Sequence, residues 1–112
     1  MQFSYKDKGE FLRAFLILIR KDKNINKSEK QMTMVIGKYF GFEKKFCEDA
    51  ISHLLENEFL SEKPPVFSSK EIAHFFVKEV THIMEQIKPM NDEEKEWLLE
   101  IAKVNNVNDM II

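Results

Sequence analysis

The sequence predicts an all-α protein, a compact bundle of about five helices with a C-terminal stub, assembled from two repeated helical hairpins. Three observations predict it. Apolar residues recur at three- and four-residue steps along five segments. Gly and Pro number three each in 112 residues, too few for a sheet protein with many tight turns. The chain also repeats itself when slid by 65 positions, about residues 8–42 falling on 73–107. A length of 112 residues suits one hydrophobic core, so residues 1–112 are expected to form a single domain.

The first helix is predicted from about Lys8 to Arg20, with Phe11, Leu12, Phe15, Leu16, Leu18 and Ile19 on its wide buried face. A polar turn, Asp22-Lys23-Asn24, leads through Ile25 to Asn26. The Asn26 side chain can cap the second helix while Glu29 reaches back to the Asn26 amide, a capping box. That helix carries Met32, Val35, Ile36 and Tyr39 inward and stops at Gly41-Phe42, where Gly41 suits the left-handed residue of a helix end. The third helix, about Glu43 to Asn57, presents Phe46, Cys47, Ala50, Ile51, Leu54 and Leu55 to the core.

Phe59 to Phe67 is a linker containing Pro64-Pro65, whose rings cannot continue a helix. Ser68 and Glu71 form the expected second capping box, opening a fourth helix with Ile72, Phe76, Val80, Ile83 and Ile87 inward. The fifth helix begins after Lys88-Pro89-Met90 with Asn91 as cap and Glu94 closing a third box, and buries Trp97, Leu98, Ile101 and Val104. Residues 108–112 align with the start of the third helix and are expected to be the stub of a sixth.

In the repeat, Phe11, Asn26, Glu29, Lys30, Ile36 and Lys38 fall on identical residues at Phe76, Asn91, Glu94, Lys95, Ile101 and Lys103. Gly41 falls on Asn106, the other residue type that readily adopts a left-handed conformation. Two amphipathic helices match by chance in their apolar stripes more easily than in their caps and terminators, so the register points to an internal duplication.

The pattern of a helix, a turn of the type Asp-x-x-Ile-(Ser/Thr/Asn)-x-x-Glu and a second helix, occurring twice, resembles the TerB-like domain of tellurite-resistance proteins and of DnaJ-like proteins. Asp22, Ile25, Asn26 and Glu29 carry the resemblance in the first copy, and Met90, Asn91 and Glu94 in the second. It spans roughly residues 8 to 112. It implies a compact all-α bundle, a stress-associated setting, and metal ions at acidic residues of the two turns. The chain departs from that pattern at Lys23, where the family commonly has Gly, and at Ile87-Lys88-Pro89, where no acid precedes Met90.

Seventeen Lys and Arg against nineteen Asp and Glu leave a formal charge of −2, too balanced for steering to nucleic acid or to an anionic membrane. The apolar run from Phe11 to Ile19 is about half of the ~20 residues that cross a bilayer, so no membrane insertion is expected. A lone Cys47 and the absence of an apolar leader behind Met1 fit a cytoplasmic protein.

No catalytic motif is present, and the expectation is a non-enzyme with no catalytic residues and no organic cofactor. Asp22, Asn24, Asn26 and Ser28 alternate like a Ca²⁺ loop, but Lys27 and Thr33 stand where that loop needs Gly and Glu, and turn chemistry accounts for the run. His74 and His82 are two turns apart, ~12 Å, too far to share an ion unaided. Cys47, on an apolar stripe, reads as a buried thiol.

Three function classes follow. The first is a non-enzymatic interaction or stress-associated scaffold that meets an unidentified protein partner, or a second copy in a homodimer, through surplus aromatics such as Phe59, Phe67 and Phe75. The second is a divalent-metal-binding or metal-responsive protein using Asp22 and Glu29 with neighbouring acids. The third is a binder of a small apolar ligand in a Phe-lined cavity.

Overall fold

Five α-helices form in a computed structural model that describes residues 1–110: α1 Tyr5–Arg20, α2 Lys27–Phe40, α3 Lys44–Ser52, α4 Lys70–Ile87 and α5 Asp92–Val104, followed by a 3-10 turn at Asn108–Met110. No strand occurs among the described residues. Ile111 and Ile112 of the expected sixth-helix stub lie outside them. A radius of gyration of 13.1 Å matches a single packed globule of this length.

Helix α1 is the hub, packing against α2 on one side and α5 on another. Its residues Phe11, Leu12, Ala14, Phe15, Leu16, Ile17, Leu18 and Ile19 are all buried, so it is enclosed on nearly every side. Each large side chain there contributes roughly 1.5–3 kcal/mol on burial. Trp97 of α5 reaches across to donate its indole N–H to the Ala14 carbonyl at 3.0 Å. Phe11 meets Phe76 edge-to-face at 4.7 Å and Phe40 at 5.0 Å, in an aromatic cluster that also takes in Phe3 and Phe75.

The first helix starts earlier than expected. Ser4 is its N-cap, accepting from the Asp7 amide at 3.0 Å, while Asp7 accepts from the Ser4 amide at 2.9 Å. Asp7 is buried and also receives the Ser68 amide and hydroxyl at 2.9 and 2.6 Å, so one carboxylate holds the starts of α1 and α4 together. Burial opposes its ionisation, but the hydrogen bonds from Ser68 and Ser4 outweigh this and hold the carboxyl below its ordinary value.

Ser68 is therefore not a helix cap. Ser69 caps α4 by accepting the Ile72 amide at 3.2 Å, and the Ser68–Glu71 box does not form. The third helix also ends sooner, at Ser52. Beyond it the chain turns on short backbone bonds, and the Arg20 guanidinium takes the freed carbonyls of Leu54 and Asn57 at 3.2 and 2.8 Å. Because α2 and α3 lie at the periphery, Val35, Tyr39, Phe46 and Leu55 point outward rather than inward, as does Val104 near the end of α5.

The two hairpins begin and end their second helices with the same bonds. The Phe42 amide donates to the Gly37 carbonyl at 2.8 Å, and the Val107 amide to the Ala102 carbonyl at 2.9 Å. Gly41 and Asn106 both take left-handed backbone, with φ of 83° and 58°. The linker is fixed by Asn105, whose side chain donates to the Pro65 and Ile101 carbonyls and accepts the Phe67 amide.

Candidate metal centre

Two capping boxes meet at one end of the bundle. In the first, Asn26 Oδ1 accepts the Glu29 amide at 2.8 Å and Glu29 Oε1 accepts the Asn26 amide at 2.9 Å. In the second, Asn91 Oδ1 accepts the Glu94 amide at 2.8 Å and Glu94 Oε1 accepts the Asn91 amide at 3.0 Å. Each box satisfies two amides that a helix start leaves open. Each also spends only one carboxylate oxygen, leaving Oε2 of Glu29 and Oε2 of Glu94 buried with no hydrogen-bond partner.

Glu29 is 0% exposed and Glu94 1%. An acidic side chain so deeply enclosed is stable only when paired or protonated. Asp22, in the α1–α2 turn, brings a third carboxylate, and one oxygen from each of Asp22, Glu29 and Glu94 lies within 4.8 Å of the others. Among the described residues this is the one such group of three acids, His or Cys. Asp22 uses Oδ1 to accept the Asn24 amide at 3.0 Å, and its Oδ2 is ion-paired with the Lys88 ammonium from the α4–α5 turn.

Burial pushes the Glu29 carboxyl above its ordinary value, and the negative charge of Glu94 pushes it further, against the pull of the Asn26 amide. Two ionised carboxylates with oxygens within 4.8 Å of each other repel by roughly 3 kcal/mol or more at an effective dielectric of about 20. A proton, or a cation between them, removes that cost.

The donor set fits a hard divalent cation. Oxygens bound to one ion at about 2.1–2.6 Å can be no more than about 4–5 Å apart, which is the span found here. An all-carboxylate set suits Ca²⁺, Mg²⁺ or Mn²⁺, with water completing the shell, rather than a thiolate- or imidazole-seeking ion. The two orphaned Oε2 atoms are the observation that makes the fit specific, since exposed acids cluster freely but buried ones do not.

The sequence pointed to Asp22 and Glu29, and the structure brings them together. It missed Glu94 as a partner, although the repeat sets Glu94 on Glu29 and so carried the signal. It also missed Lys88, whose place beside Asp22 depends on how the two turns face each other. The histidines do not join: His53 and His82 are exposed, and the His82 ring meets the Gln86 side chain at 2.9 Å. Cys47 is buried, with burial pushing its thiol up, away from reactivity.

The aromatic candidates do not form one surface. Phe67 is buried against Phe76, with ring centres 5.4 Å apart, because the Asn105 side chain draws the linker onto the core. Phe75 is half-buried on Phe3 and Phe11. Phe59 stands 96% exposed. Of the three, only Phe59 remains available to a partner. The grooves found are open and lined by mixed side chains; one beside Leu12, Leu16, Phe42 and Phe46 measures about 390 Å³.

No helix among the described residues is long and apolar enough to cross a membrane. Comparison with protein-family models, with curated proteins and with solved structures finds no significant match to this chain.

Proposed function

We propose that this chain is a non-catalytic, TerB-like helical module that holds one hard divalent cation between its two hairpins, through Asp22, Glu29 and Glu94. The observation that supports it is that Glu29 and Glu94 each keep a buried oxygen, Oε2, without a hydrogen-bond partner, in two carboxylates that converge with Asp22 to within 4.8 Å. A cation there cross-links the start of α2 to the start of α5 and to the α1–α2 turn. It works as a staple on the fold, and the role it regulates is an interaction with a protein partner, as the resemblance to stress-associated scaffolds implies. Phe59, fully presented to solvent in the linker, supports a partner-facing surface.

The test is thermal unfolding of metal-stripped protein with and without Ca²⁺, Mg²⁺, Mn²⁺ and Zn²⁺. A ligand of the native state at a hundred times its Kd adds about 2.7 kcal/mol, a rise in Tm on the order of 10 °C for a domain of this size. The rise is expected with the hard cations and is expected to vanish in the Glu29→Gln, Glu94→Gln double variant. An equal rise in that variant, or none with any cation, refutes the reading.

A further inference from the structure

By the register of the repeat Ile87 falls on Asp22, so the second hairpin brings no equivalent acid, and the next residue, Lys88, brings a positive charge instead. Its ammonium pairs with Asp22, the one ligand of the three that the surface reaches. We propose that Lys88 is a built-in competitor for the cation: it occupies Asp22 until a divalent ion arrives, and leaves Asp22 when the ion binds. This deepens the cation reading above and rests on it.

Three features of the geometry carry the inference. Lys88 is the residue just past α4, in extended backbone with φ −170° and ψ 159°, and its amide already donates to the Met84 carbonyl. Its backbone is thus fixed, and only the side chain has to move. That side chain is 31% exposed against 14% for Asp22, so the ammonium can swing into water without being dragged through the core. The ammonium neutralises one of three carboxylates and leaves both orphaned oxygens of Glu29 and Glu94 untouched. It therefore cannot replace a cation that bridges those two atoms, but it repels one placed beside Asp22.

The consequence is a site whose affinity is set by an ion pair at its mouth. A lysine that must be displaced weakens cation binding and makes it release more easily. Occupancy also changes the surface, because a lysine held against the turn between α1 and α2 becomes free when the ion is bound. The two turns that approach each other at this end of the bundle thus differ between the cation-free and cation-bound forms by one released charge.

The experiment is calorimetric titration of Mn²⁺ into metal-stripped wild type, Lys88→Met and Lys88→Gln, with the Lys88 ε-methylene resonance followed by NMR as Mg²⁺ is added to wild type. Both variants are expected to bind Mn²⁺ about tenfold tighter than wild type, and the methylene resonance is expected to move with Mg²⁺ occupancy. Binding in the variants alone overturns both readings, since the natural chain then holds no cation for Lys88 to yield to. If wild type binds and both variants bind equally or more weakly, Lys88 is not a competitor, while the cation reading stands. If none of the three binds, the cation reading falls and takes this one with it.

Discussion

The α1–α2 and α4–α5 hairpins solve their local problems alike and their shared problem unequally. Each second helix starts on an Asn–Glu capping box and stops on a left-handed residue, with matching bonds within about 0.1 Å. The turns within the hairpins differ: the first supplies Asp22 and the second supplies Lys88. Capping is a demand each helix end makes for itself, so it is met twice in the same way. Charge at the buried meeting point is a demand on the pair: the acid of one turn and the base of the other offset each other, and the two buried glutamates are left to a proton or a cation.

The outer packing of the two hairpins differs as well, and the largest expected effect lies there. A Cβ on Gly37 would collide with the Cys47 sulfur of α3, whereas the register partner of Gly37 is Ala102, which already carries one. Gly37→Ala is expected to cost about 3 kcal/mol by overpacking, and Ala102→Gly only about 1 kcal/mol, in chemical unfolding. Equal costs would show that α3 does not close on α2 as described.

Next in size are the two buried acids, where the hairpins should behave as equals. Glu29→Gln and Glu94→Gln keep an oxygen for the capping box and remove a buried charge. Each is expected to stabilise the cation-free protein by about 1–2 kcal/mol while abolishing the gain from cation. A loss of stability in metal-free buffer would mean that the carboxylates are already compensated. The sign of the pH dependence follows from the raised Glu29. Its contribution is greatest below the ordinary glutamate value of 4.5 and is lost as pH rises through the raised folded value. Asp7 acts oppositely: its contribution is present above its ordinary 3.8 and is lost as pH falls through the lowered folded value. Metal-free Tm measured from pH 3 to 8 should thus peak on the weakly acidic side, and added cation should flatten the decline above the peak. A curve that rises steadily to pH 8 without cation contradicts this account.

The caps come third. Asn26→Ala and Asn91→Ala should each cost about 1 kcal/mol, and by similar amounts, in thermal unfolding. Unequal costs would break the equivalence of the two boxes. The smallest contrast is at the terminators, where Gly41→Ala should lose about 1 kcal/mol at φ 83° and Asn106→Gly should gain a few tenths of a kcal/mol at φ 58°.

Much of this fold was legible because helix starts and stops are written locally. Asn26, Gly41 and Asn91 could be read from type and spacing alone. The start at Ser4 was missed because the apolar stripe begins only at Phe11, a full turn or more after the cap. Ser68 was misread because a serine before a helix looks like a cap whether it serves its own helix or, as here, a buried carboxylate sixty-one positions away. The inward faces of α2 and α3 were drawn too wide, since periodicity finds an apolar stripe but not how much of it a neighbour covers. For the candidate centre, the turn motif singled out Asp22 and Glu29. Glu94 was hidden by its own sufficient explanation, a capping box, which accounts for one of its oxygens and not the other. Lys88 could be seen as a departure from an acidic pattern, but its pairing with Asp22 exists only in three dimensions.

The central claim is that one cation bridges the starts of α2 and α5. It is tested most directly by anomalous diffraction from crystals of the protein grown with Mn²⁺. The account predicts a single strong peak between Glu29 Oε2 and Glu94 Oε2, within coordination distance of Asp22, with Lys88 turned away. A peak elsewhere, or none with the two carboxylates still facing each other, contradicts it.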